Sequence, residues 1–387
     1  MNLQFLFWMF IFLVVFPYLG YPLLLNILTL MPACRKPAGN KGSDCRTITL
    51  VVPAYNEENI IKQKVSNILD MEYPRNKMEV LIVLDGCTDN TKSIISGFNS
   101  DLIKVFEQNP RKGKIAALNK AVELAQGEIL VFSDANSLYD RDALKKIESH
   151  FEEKNVGCVC GKLKYMCSDG TSVESGENIY WKYEEYLKER ESILGSLLVT
   201  NGSIYAMRKS LYSKIAGDIA DDFVNPMRVY NAGYKVIYEP GAIAREKVSS
   251  NTLDQFNQKI RIIAQGWKAT FKIFNVIFSS GFLRITQFLC HKLLRWLTPF
   301  FLTIIFVLNL LLIGTNIYTV LLVVQLVLYV FALVGFLSRR RQKPVKIFYI
   351  PFYLCLINSA AFMAFFRFLI GFKTDTWEKS ETSRNVE

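Results

Sequence analysis

The chain has 387 residues, enough for one domain of ordinary size and something more, and a mean hydropathy of +0.18 with 13% aromatics is high for a soluble protein. The net charge of +11 comes from lysines and arginines set beside apolar stretches with no groove-reading motif, which argues against a nucleic-acid-binding protein. Two distant histidines, His150 and His291, and eight cysteines without a C-x-x-C pair leave little for a zinc site or a serine–histidine hydrolase, and free thiols fit a reducing compartment.

Leu3–Leu30 carries no charged residue and exceeds the roughly 20 residues a helix needs to span a bilayer. It lacks a basic start and a small-residue cleavage site, so residues 1–31 read as an uncleaved anchor. Pro32–Asp44 reads as a linker. Three further apolar stretches, Leu297–Gly314, Ile317–Leu337 and Ile347–Ile370, make 297–372 a set of C-terminal spans. Basic residues at 35–46, at 284–295 and at 339–346 (Arg339, Arg340, Arg341, Lys343 and Lys346) can share one side, which predicts a multi-pass cell-membrane protein with its middle in the cytoplasm.

That middle, 45–275, alternates strands and helices. Thr47–Val52 reads as a buried strand stopped by Pro53 and followed by Tyr55-Asn56-Glu57. Val80–Leu84 is a second strand, delivering Asp85 and Asp89; Leu102–Phe106 is a third. Lys112-Gly113-Lys114 opens a helix, and Ile129–Phe132 is a fourth strand ending in Ser133-Asp134-Ala135-Asn136. The pattern predicts an α/β fold with a parallel sheet whose strand ends share one edge, where side chains distant in sequence converge on a crevice suited to a nucleotide. Asp85 can accept from the imide N–H of a base. Asp134 can bind a divalent cation bridging a diphosphate, and Lys114 adds a point charge nearby. The plain alternative for each acid is a turn or helix cap, and Asp89 fits a cap well.

Val52-Pro53-Ala54-Tyr55-Asn56-Glu57, Asp85-Gly86-Cys87-Thr88-Asp89, Gly113-Lys114 and Ser133-Asp134-Ala135-Asn136, in this order and spacing, resemble family 2 glycosyltransferases. They are most similar to the membrane-embedded branch with cellulose, hyaluronan and poly-N-acetylglucosamine synthases. The resemblance covers about Thr47–Lys272. It implies a GT-A fold flanked by transmembrane helices and an inverting, metal-assisted (Mg2+ or Mn2+) hexosyl transfer. The donor would be a nucleotide sugar, most simply UDP-linked. Pro53, Tyr55, Glu57, Asp85, Lys114 and Asp134 would hold that donor.

The second half extends the resemblance. Asn178–Leu194 reads as a long charged and aromatic helix, more simply a solvated face than an acceptor wall. Leu198–Arg208 reads as a strand pair resembling the family segment that meets the acceptor, which puts Asn201 and Gly202 there. Asp221-Asp222 opens a helix, where paired acids also suit the macrodipole. The family's Glu-Asp at this point implies Asp222 as general base with Asp221 in the glutamate position. Gly233–Tyr238 is another strand. Leu253–Phe274 is an amphipathic helix whose Gln258-x-x-Arg261 resembles the synthases' Gln-x-x-Arg-Trp, implying Arg261 on the leaving diphosphate and Gln258 toward the acceptor. Ile262 stands where the tryptophan would be, and Asn136 replaces the second acid of Asp-x-Asp, leaving Asp134 and Asn136 as the metal ligands.

Residues 278–296 read as an interfacial helix, and 373–387, with Trp377, as a polar tail. The resemblance implies transfer to a glycan or lipid-linked acceptor in cell-surface polysaccharide synthesis, with room for export or synthase partner subunits. Transfer of one sugar to a polyprenyl phosphate, and a silent nucleotide-sugar sensor or scaffold, are the rival readings.

Overall fold

The computed structural model describes residues 2–30, 45–166, 172–217, 219–247, 252–338 and 345–371, without the side chains of 172–179. The linker, the basic run 339–343 and the tail with Trp377 lie outside the described residues.

A helix, α1, runs over Leu3–Thr29 with a π-helical turn at Phe16–Gly20. The first strand, β1 (Ile48–Ala54), is buried along all seven residues, as a β-branched run flanked by sheet neighbours on both sides should be. Helix α2 (Ile61–Leu69) leads to β2 (Met78–Asp85), α3 (Thr91–Ser96) to β3 (Ile103–Gln108), and α4 (Lys114–Leu124) to β4 (Ile129–Phe132). After β5 (Leu138–Tyr139), α5 (Ala143–Ser149) and β6 (Val156–Met166) comes α6 (Ser172–Ile193). Then follow β7 (Tyr205–Arg208), α7 (Asp221–Asn231), β8 (Lys235–Lys247), α8 (Thr252–Lys272) and α9 (Phe274–Ser279). The chain closes with α10 (Phe282–Leu311), α11 (Asn316–Leu337) and α12 (Lys346–Leu369).

The strands form one mixed sheet in the order β3-β2-β1-β4-β7-β6-β8-β5. The first four are parallel, so their carboxyl ends share an edge. Strand β7 pairs antiparallel with β4, placing Tyr205 opposite Phe132. The segment entering β7 therefore arrives at the same edge as the loop leaving β4, and this crossing assembles the site. Apolar layers cover both faces of the sheet.

Four helices among the described residues are long and apolar enough to cross a membrane: α1, α10, α11 and α12. Helix α8 lays Ile260, Ile263, Ala264 and Trp267 against Ala360, Ala361 and Ala364 of α12. The small alanines let the two helices approach closely, and truncating a buried tryptophan there costs about 3–5 kcal/mol.

Three expectations change. Leu198–Arg208 is not a strand pair: only Tyr205–Arg208 is a strand, and a single bridge joins Asn201 to Ile204. The backbone N–H of Leu198 donates to Glu191 Oε2 at 3.0 Å, so a helix side chain takes the place of a neighbouring strand. Helix α6 is not a solvated face, since Glu184, Leu187, Lys188 and Glu191 are buried. Residues 278–296 do not form one separate helix. Phe282 begins a helix that continues through a π-helical segment at Leu289–Leu293 into Leu311, with Arg284, Gln287 and His291 turned inward and buried.

Candidate active site

The site begins where β4 ends. Asp134 and Asn136 are partly exposed while Ser133, Ala135 and Ser137 between and around them are buried, so both polar side chains share the open face of the loop. Across from them, Gly113 has φ +90°, a backbone that favours glycine, and turns the chain so that Lys114 is the first residue of α4. Lys114 Nζ donates to Asp134 Oδ1 at 2.6 Å. Burial works against its charge, yet Asp134, Asp221 and Asp222 outweigh that and hold the ammonium above its ordinary range.

Helix α7 supplies the acids. Asp221 points inward, with Oδ2 accepting from the Tyr205 hydroxyl at 2.7 Å, and Asn225 Nδ2 donates to the same phenol at 2.9 Å. The Tyr205 ring stacks on Phe132 at 4.7 Å, tying α7 to β4. Asp222 is only partly exposed, and its carbonyl accepts from both the N–H and the hydroxyl of Thr200, each at 2.9 Å. Burial first and the Asp221 charge second raise the Asp222 carboxyl to about 6, against the pull of Lys114, Lys292 and Lys188. A β-carbon on Gly202 would lie 3.6 Å from Lys114 Nζ and 3.7 Å from Asp222 Oδ2. The loop expected to meet the acceptor thus puts a residue without a side chain beside both a cation and a raised-pKa carboxylate. That pairing suits proton abstraction beside a developing anion.

The end around Asp85, where a nucleotide is expected, is more enclosed. Asp85 is buried; Oδ1 accepts from Gln108 Nε2 at 2.6 Å and Lys112 N at 2.7 Å, and Oδ2 from Gly113 N at 2.8 Å. Three of its roughly four acceptor positions are used internally, so it also fixes the loop that presents Lys114. The Arg111 guanidinium lies over the Tyr55 ring at 3.6 Å, a flat surface of the kind on which a base stacks. Pro53 sits within β1 opposite Val83, and Glu57 is buried, its N–H donating to Thr91 Oγ1 at 2.7 Å. Asp89 takes the turn alternative, accepting from Thr91 N at 3.1 Å and Thr91 Oγ1 at 2.6 Å.

Other expected residues stand apart from this group. The Asn201 side chain is committed internally, donating to Gly161 O at 2.7 Å and accepting from Lys188 Nζ. It shapes the Gly202 loop and has little left for an acceptor. Gln258 is exposed on α8, Arg261 half-exposed and Ile262 48% exposed.

Sequence reasoning missed Lys188, Lys64 and Glu246. Lys64 occupies the buried face of α2 with Ile61, Val65 and Ile68, and a lysine within an apolar stripe was its readable signal. Burial pushes it down to about 7 despite Asp134 and Glu246. Lys188 and Glu246 had no such signal. Beneath the site a second buried network joins α6 to α1 and α10. His291 contacts Glu191 Oε1 at 2.7 Å and Glu184 Oε2 at 2.9 Å, Arg295 pairs with Glu184 at 2.6 Å, and the Tyr21 hydroxyl donates to Glu191 at 2.6 Å.

Comparison with known proteins places this geometry. Residues 49–216 match the model of Glycosyl transferase family 2. A probable glycosyltransferase YdaM of Bacillus subtilis (strain 168) is 26% identical over 211 residues, 52% of this chain and 50% of that protein. The poly-beta-1,6-N-acetyl-D-glucosamine synthase of Staphylococcus aureus (strain MSSA476) is 27% identical over 223 residues, 55% of this chain and 53% of that protein. The chain thus spans about half the length of the curated relatives it matches. The solved mannosyltransferase PcManGT from Pyrobaculum calidifontis, in complex with GDP-Man and Mn2+, superposes with a TM-score of 0.73 at 21% identity. The match covers 96% of this chain and 100% of that one, so the two share the GT-A fold and its flanking helices.

Proposed function

We propose that this chain, whose residues 49–216 are a family 2 glycosyltransferase segment, is a membrane-anchored inverting enzyme that moves a hexose from a nucleotide sugar to a glycan or lipid-linked acceptor. The observation that carries the reading is the approach of Lys114, paired with Asp134, and of Asp222 to the same point at Gly202. An acceptor hydroxyl entering over Gly202 would give its proton to Asp222 Oδ2 as its oxygen bonds to the anomeric carbon. The bond from that carbon to the diphosphate breaks in the same step, and the nucleoside diphosphate leaves toward Lys114. No covalent intermediate is required. Burial first, and then the charge of Asp221 held by Tyr205, keep Asp222 above its ordinary range, so a carboxylate raised to about 6 does the work.

The donor atoms fit a hard divalent cation. Asp134 offers a carboxylate and Asn136 an amide oxygen on one face of the loop, and among the described residues no cluster of three or more His, Cys, Asp or Glu side chains competes. The rest of the shell would fall to phosphate oxygens and water. Bound there, Mg2+ or Mn2+ neutralises charge on the departing diphosphate. The mannosyltransferase with the same fold carries GDP-Man and Mn2+, while the poly-N-acetylglucosamine synthase relative favours an N-acetylglucosamine donor.

A second reading, one transfer to a lipid phosphate, is favoured by Ile262 and by Lys188 and Lys292 close to Asp222. The deciding experiment is nucleoside diphosphate release by the detergent-purified chain across UDP- and GDP-sugars. It is run with Mg2+, Mn2+ or chelator, a lipid extract as acceptor, and Asp222→Asn and Asp134→Ala alongside. Metal-dependent release from one donor, lost in Asp222→Asn, supports the proposal; silence across the panel makes a sensor or scaffold the better account. Product length separates the two enzyme readings.

A further inference from the structure

Directly beneath the loop that carries Asp134 and Asn136 lies a lysine with no access to solvent. Lys64 Nζ donates to Ser133 Oγ at 2.6 Å and to the Ser137 carbonyl at 2.5 Å, gripping the loop at both ends. Its ammonium also lies 4.6 Å from the Tyr139 ring centre. On the far side, Ser137 donates its hydroxyl to the buried carboxylate of Glu246. The Tyr139 hydroxyl bridges the carbonyls of Phe132 at 3.1 Å and Ser203 at 3.0 Å. The buried chain Lys64–Ser137–Glu246 therefore fixes the loop after β4, and Tyr139, directly after that loop, ties it to Ser203 beside Gly202. Glu246 is carried by β8, in register with Tyr165 of β6.

A lysine is a costly way to fill such a space. Taking an ammonium out of water costs several kcal/mol, and an apolar side chain of similar volume is often as good or better for stability. Lys64 makes no ion pair within 4 Å among the described residues, and its nearest acids are Asp134 and Glu246. The amine is therefore placed where its N–H groups act on the loop.

We propose that Lys64 and Glu246 are positioning residues of the transfer centre: together they fix the Asp134–Asn136 loop beside Tyr139, whose hydroxyl ties it to the Gly202 loop, so that the diphosphate-side ligands and the acceptor-side opening are held at one fixed separation. The inference rests on the reading of Asp134 and Asn136 as diphosphate-side metal ligands. Partners one layer out from a metal ligand typically change metal affinity 10–100-fold when removed.

The test uses full-length protein in detergent and follows the free-ion electron paramagnetic resonance signal of Mn2+ titrated with UDP or GDP. Wild type, Lys64→Met, Ser137→Ala and Glu246→Gln are compared, with thermal unfolding as the check on folding. The inference expects a Mn2+ half-saturation raised about tenfold or more in Lys64→Met. Turnover recovers at saturating Mn2+, and in Glu246→Gln the acceptor KM rises as well. A lysine that merely fills space leaves both constants unchanged in a folded Lys64→Met protein, and that result overturns the inference. Should Lys64→Met fail to fold, Ser137→Ala, which removes one hydroxyl, decides by the same constants. Wild-type protein that binds neither Mn2+ nor nucleotide overturns the functional reading as well. Wild type that binds and turns over beside unchanged variants overturns this inference alone.

Discussion

Lys114 Nζ and Asp222 Oδ2 meet at Gly202, 3.6 and 3.7 Å from the point where its β-carbon would stand. These are ordinary contact distances, so Gly202→Ala should fold with an unchanged unfolding temperature. The methyl group nonetheless occupies the opening to the base. The expected result is a raised acceptor KM with donor binding unaffected, and a larger loss in Gly202→Val, read by steady-state kinetics and donor titration.

Asp222→Asn should keep donor binding and lose transfer by about 10²–10⁴-fold, the usual contribution of a positioned base. Because the wild-type carboxyl is raised to about 6, the rate should climb about tenfold per pH unit up to pH 6 and level off above it. The stability effect has the opposite sense. Between the ordinary aspartate range and pH 6 the folded state binds more protons than the unfolded one, so ionising Asp222 lowers stability as pH rises. Asp222→Asn should therefore unfold at a higher temperature than wild type at pH 7.5, and the difference should shrink toward pH 4.

Lys114 pulls the Asp222 carboxyl down. Lys114→Gln should weaken donor binding and also move the acidic limb of the pH–rate profile to higher pH. A profile that keeps its midpoint while the rate falls would mean the two groups do not share a field.

His291 stands between two buried carboxylates, Glu184 and Glu191. Burial alone would raise both, but Arg295 and His291 beside Glu184, and His291 beside Glu191, hold them below the ordinary glutamate range. His291→Gln leaves buried charge uncompensated and should cost about 3–5 kcal/mol. The added stability is present above the ordinary glutamate value and lost as pH falls below it. His291→Gln with Glu191→Gln should recover part of the loss, measured by thermal unfolding in detergent.

The strands and the acids at their ends were legible because buried parallel strands read as unbroken apolar runs, and a polar residue after such a run has few places to go. Asp134, Lys114 and Asp222 were found this way or through the family resemblance, and the structure brings those three together. Helix α6 was misread. Its alternating acids and bases look solvated until the partners, Tyr21 and His291, arrive from positions far along the chain. Asn201 was placed in the right loop, but a single sequence does not show that Gly161 and Lys188 consume its amide. Leu198 looked like strand because β-branched and apolar neighbours say nothing of a carboxylate waiting to bind its N–H.

The attachment of α6 to both α1 and α10 has a consequence for reach. Tyr183 donates to the Pro17 carbonyl at 3.0 Å while His291 and Arg295 hold Glu184, so two apolar helices grip one helix of the catalytic domain. If those two helices stand in a bilayer, the height of Asp222 above it is built into the chain. The molecule is then a ruler: only a hydroxyl presented at that one height is in range, whatever sugar the donor carries.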